Sequence, residues 1–317
     1  MITPRRPRRR LFGLLLAGFG VLSTAHTVSA DSSSPRLAAY YERKLLVCEK
    51  MAYQWQGRDT PELVAEDVVQ VGVGRDASYI LTSNGQLLGW QNSPSDKTQL
   101  LDQVLWFAAG RSGIFAVRTD NALWHLGRSE SWFGEGDVAK PVKIAPDVSA
   151  ASIGDSTDYF VTRDGALYVK GLAHRGQYGD GKLRATDTFI SVAGQVSAVK
   201  AHTGHAIMLK RDGTVMGTGG NIYGPLGRHG IGDKATRWGA LFSGAAAIAT
   251  GSSHSLAIRA DGSLWAWGRD MGLDPKKLMD GVTAAAADRS GSIALTGDGT
   301  LWQWDRDEQP RRHFRCP

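Results

Sequence analysis

Apolar and polar positions along this chain recur in one short phrase: a turn pair, a small residue, then apolar residues at every second place, ending near glycine. The clearest copy is Asp261-Gly262-Ser263-Leu264-Trp265-Ala266-Trp267-Gly268. Further copies start at Asn84-Gly85, Asp120-Asn121, Asp164-Gly165, Asp212-Gly213 and Asp298-Gly299, and a degenerate one, Glu49-Lys50-Met51-Ala52-Tyr53-Gln54-Trp55, precedes them all. Alternation at period two marks strands with two unlike faces. Asp-Gly between two such runs predicts a two-residue hairpin with positive φ at both central positions. The aspartates of these phrases are therefore turn formers rather than a catalytic set.

The apolar residue after each turn gives the markers Ala52, Leu87, Leu123, Leu167, Val215, Leu264 and Leu301, spaced 35, 36, 44, 48, 49 and 37 residues apart. Periods in this range signal a repeat architecture. Upstream of six turns lies a second phrase, as in Gly251-Ser252-Ser253-His254-Ser255-Leu256-Ala257-Ile258, and further upstream a β-rich piece such as Val196-Ser197-Ala198-Val199-Lys200. Each unit thus predicts strand, tight loop, strand, hairpin, strand. Short antiparallel sheets hide their edges by closing into a ring. The expected fold is all-β: a seven-bladed β-propeller over residues 45–305, its first blade degenerate. Trp55, Trp90, Trp124, Trp265, Trp267, Trp302 and Trp304 occupy the repeated strand positions, where large rings fill the space between radial sheets.

The ends change the picture. Residues 1–30 carry a basic head (Arg5, Arg6, Arg8, Arg9, Arg10), an apolar run from Leu11 to Leu22 and the small-residue end Val28-Ser29-Ala30. This predicts a secretory signal peptide cleaved after Ala30, followed by a lead-in at 31–44, and places the protein in the periplasm or outside the cell. The apolar run is too short to span a bilayer, so no membrane association is expected after cleavage. Arg9-Arg10-Leu11-Phe12 also fits a twin-arginine signal, which leaves the export route open. The first thirty residues hold five of the 37 Lys and Arg and none of the 31 Asp and Glu, leaving 32 basic against 31 acidic. With so little excess charge, nucleic acid is not an expected partner.

Cys48 and Cys316, the latter in a C-terminal tail at 306–317, are the two cysteines of a chain bound for an oxidising compartment. The expectation is a disulfide that closes the ring, since first and last blades are neighbours; unpaired thiols and pairing with another chain are the alternatives.

Two longer units add a loop phrase: Gly171-Leu172-Ala173-His174-Arg175-Gly176-Gln177-Tyr178-Gly179-Asp180-Gly181 and Gly219-Gly220-Asn221-Ile222-Tyr223-Gly224-Pro225-Leu226-Gly227. With Gly251-x-x-His254-Ser255 and Leu264-Trp265-x-Trp267-Gly268, these phrases resemble the regulator of chromosome condensation repeat family, whose loop runs G-x-N-x-x-G-Q-L-G-x-G. Ala173 replaces the Asn in one copy. The resemblance implies seven blades. The family includes a nuclear exchange factor for a small GTPase that also binds chromatin, a role opposed here by the signal, the near-neutral charge and the lack of a long insertion. It also includes secreted bacterial propellers, among them an inhibitor of β-lactamase.

No nucleophile elbow, phosphate loop or helical His pair is present, and no metal or cofactor is expected. His205 and His254 occupy equivalent repeat positions and are read as structural hydrogen-bonding residues. Function is expected in the unequal loops of one face, on large residues outside the repeat pattern. The candidates are Trp132, Phe133, Tyr178, Tyr223, Arg228, His229 and Trp238. The leading expectation is an exported, non-catalytic scaffold that binds another protein. The alternatives are an inhibitor of a secreted enzyme, or a lyase or hydrolase acting on carbohydrate or peptidoglycan with Asp137, Asp180, Asp187 and Asp233 at a central channel.

Overall fold

The computed structural model describes residues 36–111, 113–127, 140–229, 232–289, 291–305 and 308–317. Among them are 28 strands in seven four-stranded antiparallel sheets, each made of four consecutive strands. Blade 1 holds β1 (Leu37–Tyr40), β2 (Arg43–Cys48), β3 (Met51–Gln56) and β4 (Glu62–Ala65). Blades 2 to 6 open on β5 (Val68–Val73), β9 (Val104–Gly110), β13 (Val148–Ile153), β17 (Val196–Ala201) and β21 (Ala245–Thr250). Blade 7 holds β25 (Val282–Ala287), β26 (Gly291–Thr296), β27 (Thr300–Asp305) and β28 (Arg311–Arg315). The first strand of every blade lines a central channel, and β1 packs against β25 to complete the ring. The propeller therefore begins before residue 45 and ends after 305. Neither β1 (Leu-Ala-Ala-Tyr) nor β28 (Arg-Arg-His-Phe-Arg) carries a turn phrase, so the repeat markers do not reach them.

The period-two pattern becomes packing between blades. Seven apolar clusters are found among the described residues, each built from two adjacent blades. Trp55, Trp90, Trp267 and Trp304 are buried in clusters against the preceding blade. Trp124, Trp265 and Trp302 are two residues earlier in equivalent strands and only half-buried; Arg118 and Lys143 cover Trp124, and Arg259 covers Trp265 at 4.5 Å.

The Asp-Gly hairpins differ from the two-residue expectation. Gly165 N donates to Thr162 O at 2.9 Å and Thr162 N to Ala166 O at 3.0 Å, which defines a three-residue loop with positive φ at the glycine alone. The other five phrase copies repeat it, with Asn121 standing in for glycine at φ 59°. This is the type I turn with a bulge, and the Asp caps it: Asp261 Oδ1 accepts from Ser263 N at 2.8 Å, and Asp212 Oδ1 from Thr214 N at 2.9 Å. The two-residue form with both φ positive occurs in the degenerate blade, at Glu49 (46°) and Lys50 (69°), where Cys48 pairs with Met51.

Ring closure rests on side chains, since no described strand is shared between blades 1 and 7. The Cys48–Cys316 disulfide joins them, with Cα atoms 5.6 Å apart. Trp55 Nε1 donates to Gln303 Oε1 at 3.1 Å, and Gln303 Nε2 to Gly57 O at 2.8 Å. Lys44 Nζ lies 3.9 Å from Asp288 Oδ2, both side chains being nearly fully buried.

Candidate functional site

The loops between first and second strands share one face with those between third and fourth strands, while the hairpins lie on the opposite face. The two loop phrases extend the first face at blades 4 and 5, after β15 (Leu167–Leu172) and β19 (Val215–Gly220). Both follow one plan. Gly176 N donates to Ala173 O and Gly179 N to Gly176 O; Gly224 N donates to Asn221 O and Gly227 N to Gly224 O. In the second loop the Asn221 amide braces the turn, donating to Gly227 O at 3.2 Å and His229 O at 3.0 Å while accepting from Leu226 N at 2.9 Å. Each loop is then anchored to the blade that follows. Thr218 Oγ1 donates to Gly176 O at 2.8 Å, and Trp267 Nε1 to Pro225 O at 2.8 Å.

This plan sorts the candidate residues. Tyr178 stands where the second loop has Leu226, and both are fully buried. Its hydroxyl donates to Gly171 O at 2.6 Å and accepts from Thr186 N at 3.1 Å, so Tyr178 is a core residue and not part of a free surface. Trp238 is likewise a strand residue, in β20 (Lys234–Phe242), half-buried and donating from Nε1 to Tyr178 O at 3.1 Å. His229 is half-buried, with Nε2 2.9 Å from Arg237 O. Tyr223 and Arg228 are exposed. Trp132 and Phe133 lie outside the described residues, as does Asp137.

Sequence reasoning passed over the neighbours that make Tyr223 part of a patch. Ile222 is 57% exposed, Tyr223 53% and Leu273, from β24 (Gly272–Met279), 46%. The Arg269 guanidinium lies 4.5 Å from the Tyr223 ring centroid. Arg228 grips Asp274 with two hydrogen bonds of 2.6 and 2.7 Å, which hold that carboxyl below the usual range. Between them a cleft of about 350 Å³ is lined by Leu226, Arg228, His229, Trp267, Leu273 and Asp274. The available signal was the loop phrase itself: its two variable places, filled by Ile222-Tyr223 here and His174-Arg175 in blade 4, point outward while the Leu or Tyr place points in.

The channel mouth on the same face is a second polar site. Tyr40 and His202, from blades 1 and 5, face each other across it with ring centroids 6.2 Å apart. Arg111 lies 3.8 Å from Asp155 beside them. Burial lowers the His202 pKa, and Asp155 opposes that shift. Burial also raises that of Tyr40. Asp180, Asp187 and Asp233 do not line the channel; Asp155 is its carboxylate among the described residues. Asp180 pairs instead with Arg184 at 2.5 Å.

Comparison with known proteins agrees with this architecture. The Regulator of chromosome condensation (RCC1) repeat matches residues 245–270, from β21 through the Leu264–Gly268 strand. The human E3 ubiquitin-protein ligase HERC2 is 30% identical over 180 residues, covering 51% of this chain and 4% of the ligase. Prp20p from Saccharomyces cerevisiae superimposes with a TM-score of 0.68 at 17% identity, covering 81% of each chain; its crystal structure is described with its binding to Gsp1p and histones. Human WBSCR16 superimposes with a TM-score of 0.70 at 17% identity, covering 80% of this chain and 84% of its own. Repeat phrase, loop plan and seven-fold ring together make the chain a seven-bladed β-propeller of regulator of chromosome condensation repeats.

Proposed function

We propose that this protein is an exported, non-catalytic scaffold that binds another protein through the loop face, centred on the patch between blades 5 and 6. The observation that carries the reading is the exposure of Ile222, Tyr223 and Leu273 beside the Arg228–Asp274 pair. An aromatic anchor ringed by apolar and charged groups, on loops braced by a rigid scaffold, is the composition of a protein-binding surface. Propellers of this repeat bind proteins, Gsp1p and histones in the case of Prp20p. Export is supported by the basic and apolar pattern of residues 1–30 and by the disulfide, a bond that persists in oxidising compartments.

The test is site-specific photocrosslinking in the native cell. A crosslinker at Tyr223 is expected to trap a discrete partner, and one at Asn84 on the hairpin face is not. Loss of that adduct in Leu273→Ser, with unchanged thermal stability, assigns the patch. Equal adducts from both faces, or none from Tyr223, overturn the reading. Fractionation addresses export: protein retaining residues 1–30 and confined to the cytoplasm defeats it.

A further inference from the structure

Aligning the seven inner strands by their pairing register shows one residue out of pattern. Lys200 pairs with Ile207, and the residues at the same register in the other blades are Ala38, Gly72, Ala108, Ser152, Ala249 and Ala286. Small residues are needed here because the place faces the next blade at close range. A Cβ added at Gly72 would run into the Phe107 ring and sit 3.1 Å from Ala109 Cβ. Packing between blades does not call for a lysine at such a place, yet Lys200 occupies it and lines the central channel.

The channel gives that cation an unusual setting. Its wall is mostly alanine, valine and isoleucine, and its volume is about 180 Å³, many times what one water needs. Among the described residues no hydrogen bond or ion pair to the Lys200 ammonium is found, and burial alone lowers its pKa. Asp155, the carboxylate of the lining, is 3.8 Å from Arg111. At the mouth the register brings Tyr40 and His202 where four other blades have Gly74, Gly110, Gly154 and Gly251, and the two rings narrow the opening.

An ammonium that faces an apolar-walled chamber with no counter-charge beside it is a ready partner for an anion, and the low-polarity wall strengthens that attraction relative to open water. One cation outside the Arg111–Asp155 pair, apolar walls and the Asp155 carboxylate at the mouth favour a single negative charge on a hydrocarbon body over a polyanion. We propose that the central channel is a binding site for a small monocarboxylate, its carboxylate paired with Lys200 and its alkyl part against the alanine wall. The site is separate from the loop patch, so the two readings stand or fall independently.

The alanine wall supplies the test. In wild-type protein with labelled alanine methyls, butyrate is expected to shift the Ala249 and Ala286 signals and leave Ala65 in place. Calorimetry is expected to show butyrate and hexanoate binding wild type, Lys182→Met and Tyr223→Ala alike, and Lys200→Met more weakly by about tenfold or beyond. Butylammonium is expected not to bind. A glutamate-containing tripeptide separates a free ligand from a partner's side chain: binding by the peptide alone overturns the small-molecule assignment. So do the absence of methyl shifts with any monocarboxylate, equal affinity in Lys200→Met, and tighter binding of inorganic phosphate than of every carboxylate.

Discussion

His205 and His254 stand at matching places in blades 5 and 6, and each reaches into the next blade. His254 Nε2 is 2.8 Å from Ser292 Oγ, and His205 Nε2 is 3.5 Å from Ser255 Oγ. Burial pushes their pKa values down to about 4 and about 3, and that of His125 down to about 4. An unfolded histidine titrates near 6.5, so between that pH and about 4 the unfolded chain binds protons that the native state refuses. Stability is complete above the unfolded pKa and falls as pH drops, by at most about 1.4 kcal/mol per pH unit for each histidine. Urea unfolding at pH 7.5, 6 and 5 is expected to show this slope, shallower by one proton in His254→Gln; an unchanged slope in that variant contradicts the assignment. The structural role of these histidines was legible because the repeat supplied two aligned copies. Tyr178 was misplaced for want of the same alignment, since its large ring drew more notice than its match to Leu226. Tyr178→Ala is expected to cost about 3–5 kcal/mol, whereas Tyr223→Ala is expected to cost no more than about 1 kcal/mol. Thermal denaturation of the two variants separates packing from surface.

Among elements, the hairpins show how a correct reading can rest on the wrong turn. The turn pairs marked six hairpins correctly because their second residue, glycine in five and Asn121 in the sixth, takes positive φ, but the Asp or Asn before it serves as a cap and not as a second left-handed residue. Hydrogen bonds from Thr296 and from the Thr300 backbone and hydroxyl hold the Asp298 carboxyl down to about 2. The turns from each outer strand to the next inner strand gave no such signal. Their left-handed places hold Asp67, Gln103, Asp147 and Gln195 in blades 1 to 4, and Gly244 and Gly281 in later ones, residue types too varied to form a phrase. The degenerate hairpin offers a direct test. Lys50 sits at φ 69°, where a Cβ is unfavourable by about 1–2 kcal/mol and glycine is not. Its ion pair with Asp67 is long, 3.9 Å, and exposed, so little is lost with the side chain. Lys50→Gly is therefore expected to stabilise by about 0.5–1 kcal/mol after glycine's entropy is counted, read as a higher urea midpoint at unchanged slope. In Gly262→Ala, at φ 80°, the sign is expected to reverse.

At the scale of the whole molecule, the ring turns seven small sheets into one folding unit, and its weak point is where the chain ends meet. Elsewhere two neighbouring blades are linked by continuous backbone; blades 1 and 7 are linked by the disulfide and by buried side chains. The cysteine pair was legible because a closed ring brings its ends together, while the polar pairs beneath it were not. Lys44 and Asp288 give no hint in sequence that they meet, being a lysine at an inward strand place and an aspartate where other blades have glycine. The 268-residue separation of the cysteines makes the cross-link a strong constraint on the unfolded chain, up to about 5 kcal/mol. Removing Lys44 as Lys44→Met takes a buried cation from beside Asp288, whose carboxylate also accepts from Gly291 N, and is expected to cost about 1–3 kcal/mol, and Lys44→Met with Asp288→Asn less than that. Reduction and Lys44→Met act on the same interface, so their effects are expected to be non-additive. Hydrogen exchange locates them: reduction should release amides of β1, β2, β26 and β27 first while those of blades 3 to 5 keep their protection. Uniform loss of protection around the ring would mean that the seven blades open together, with closure governed by the apolar clusters rather than by the seam.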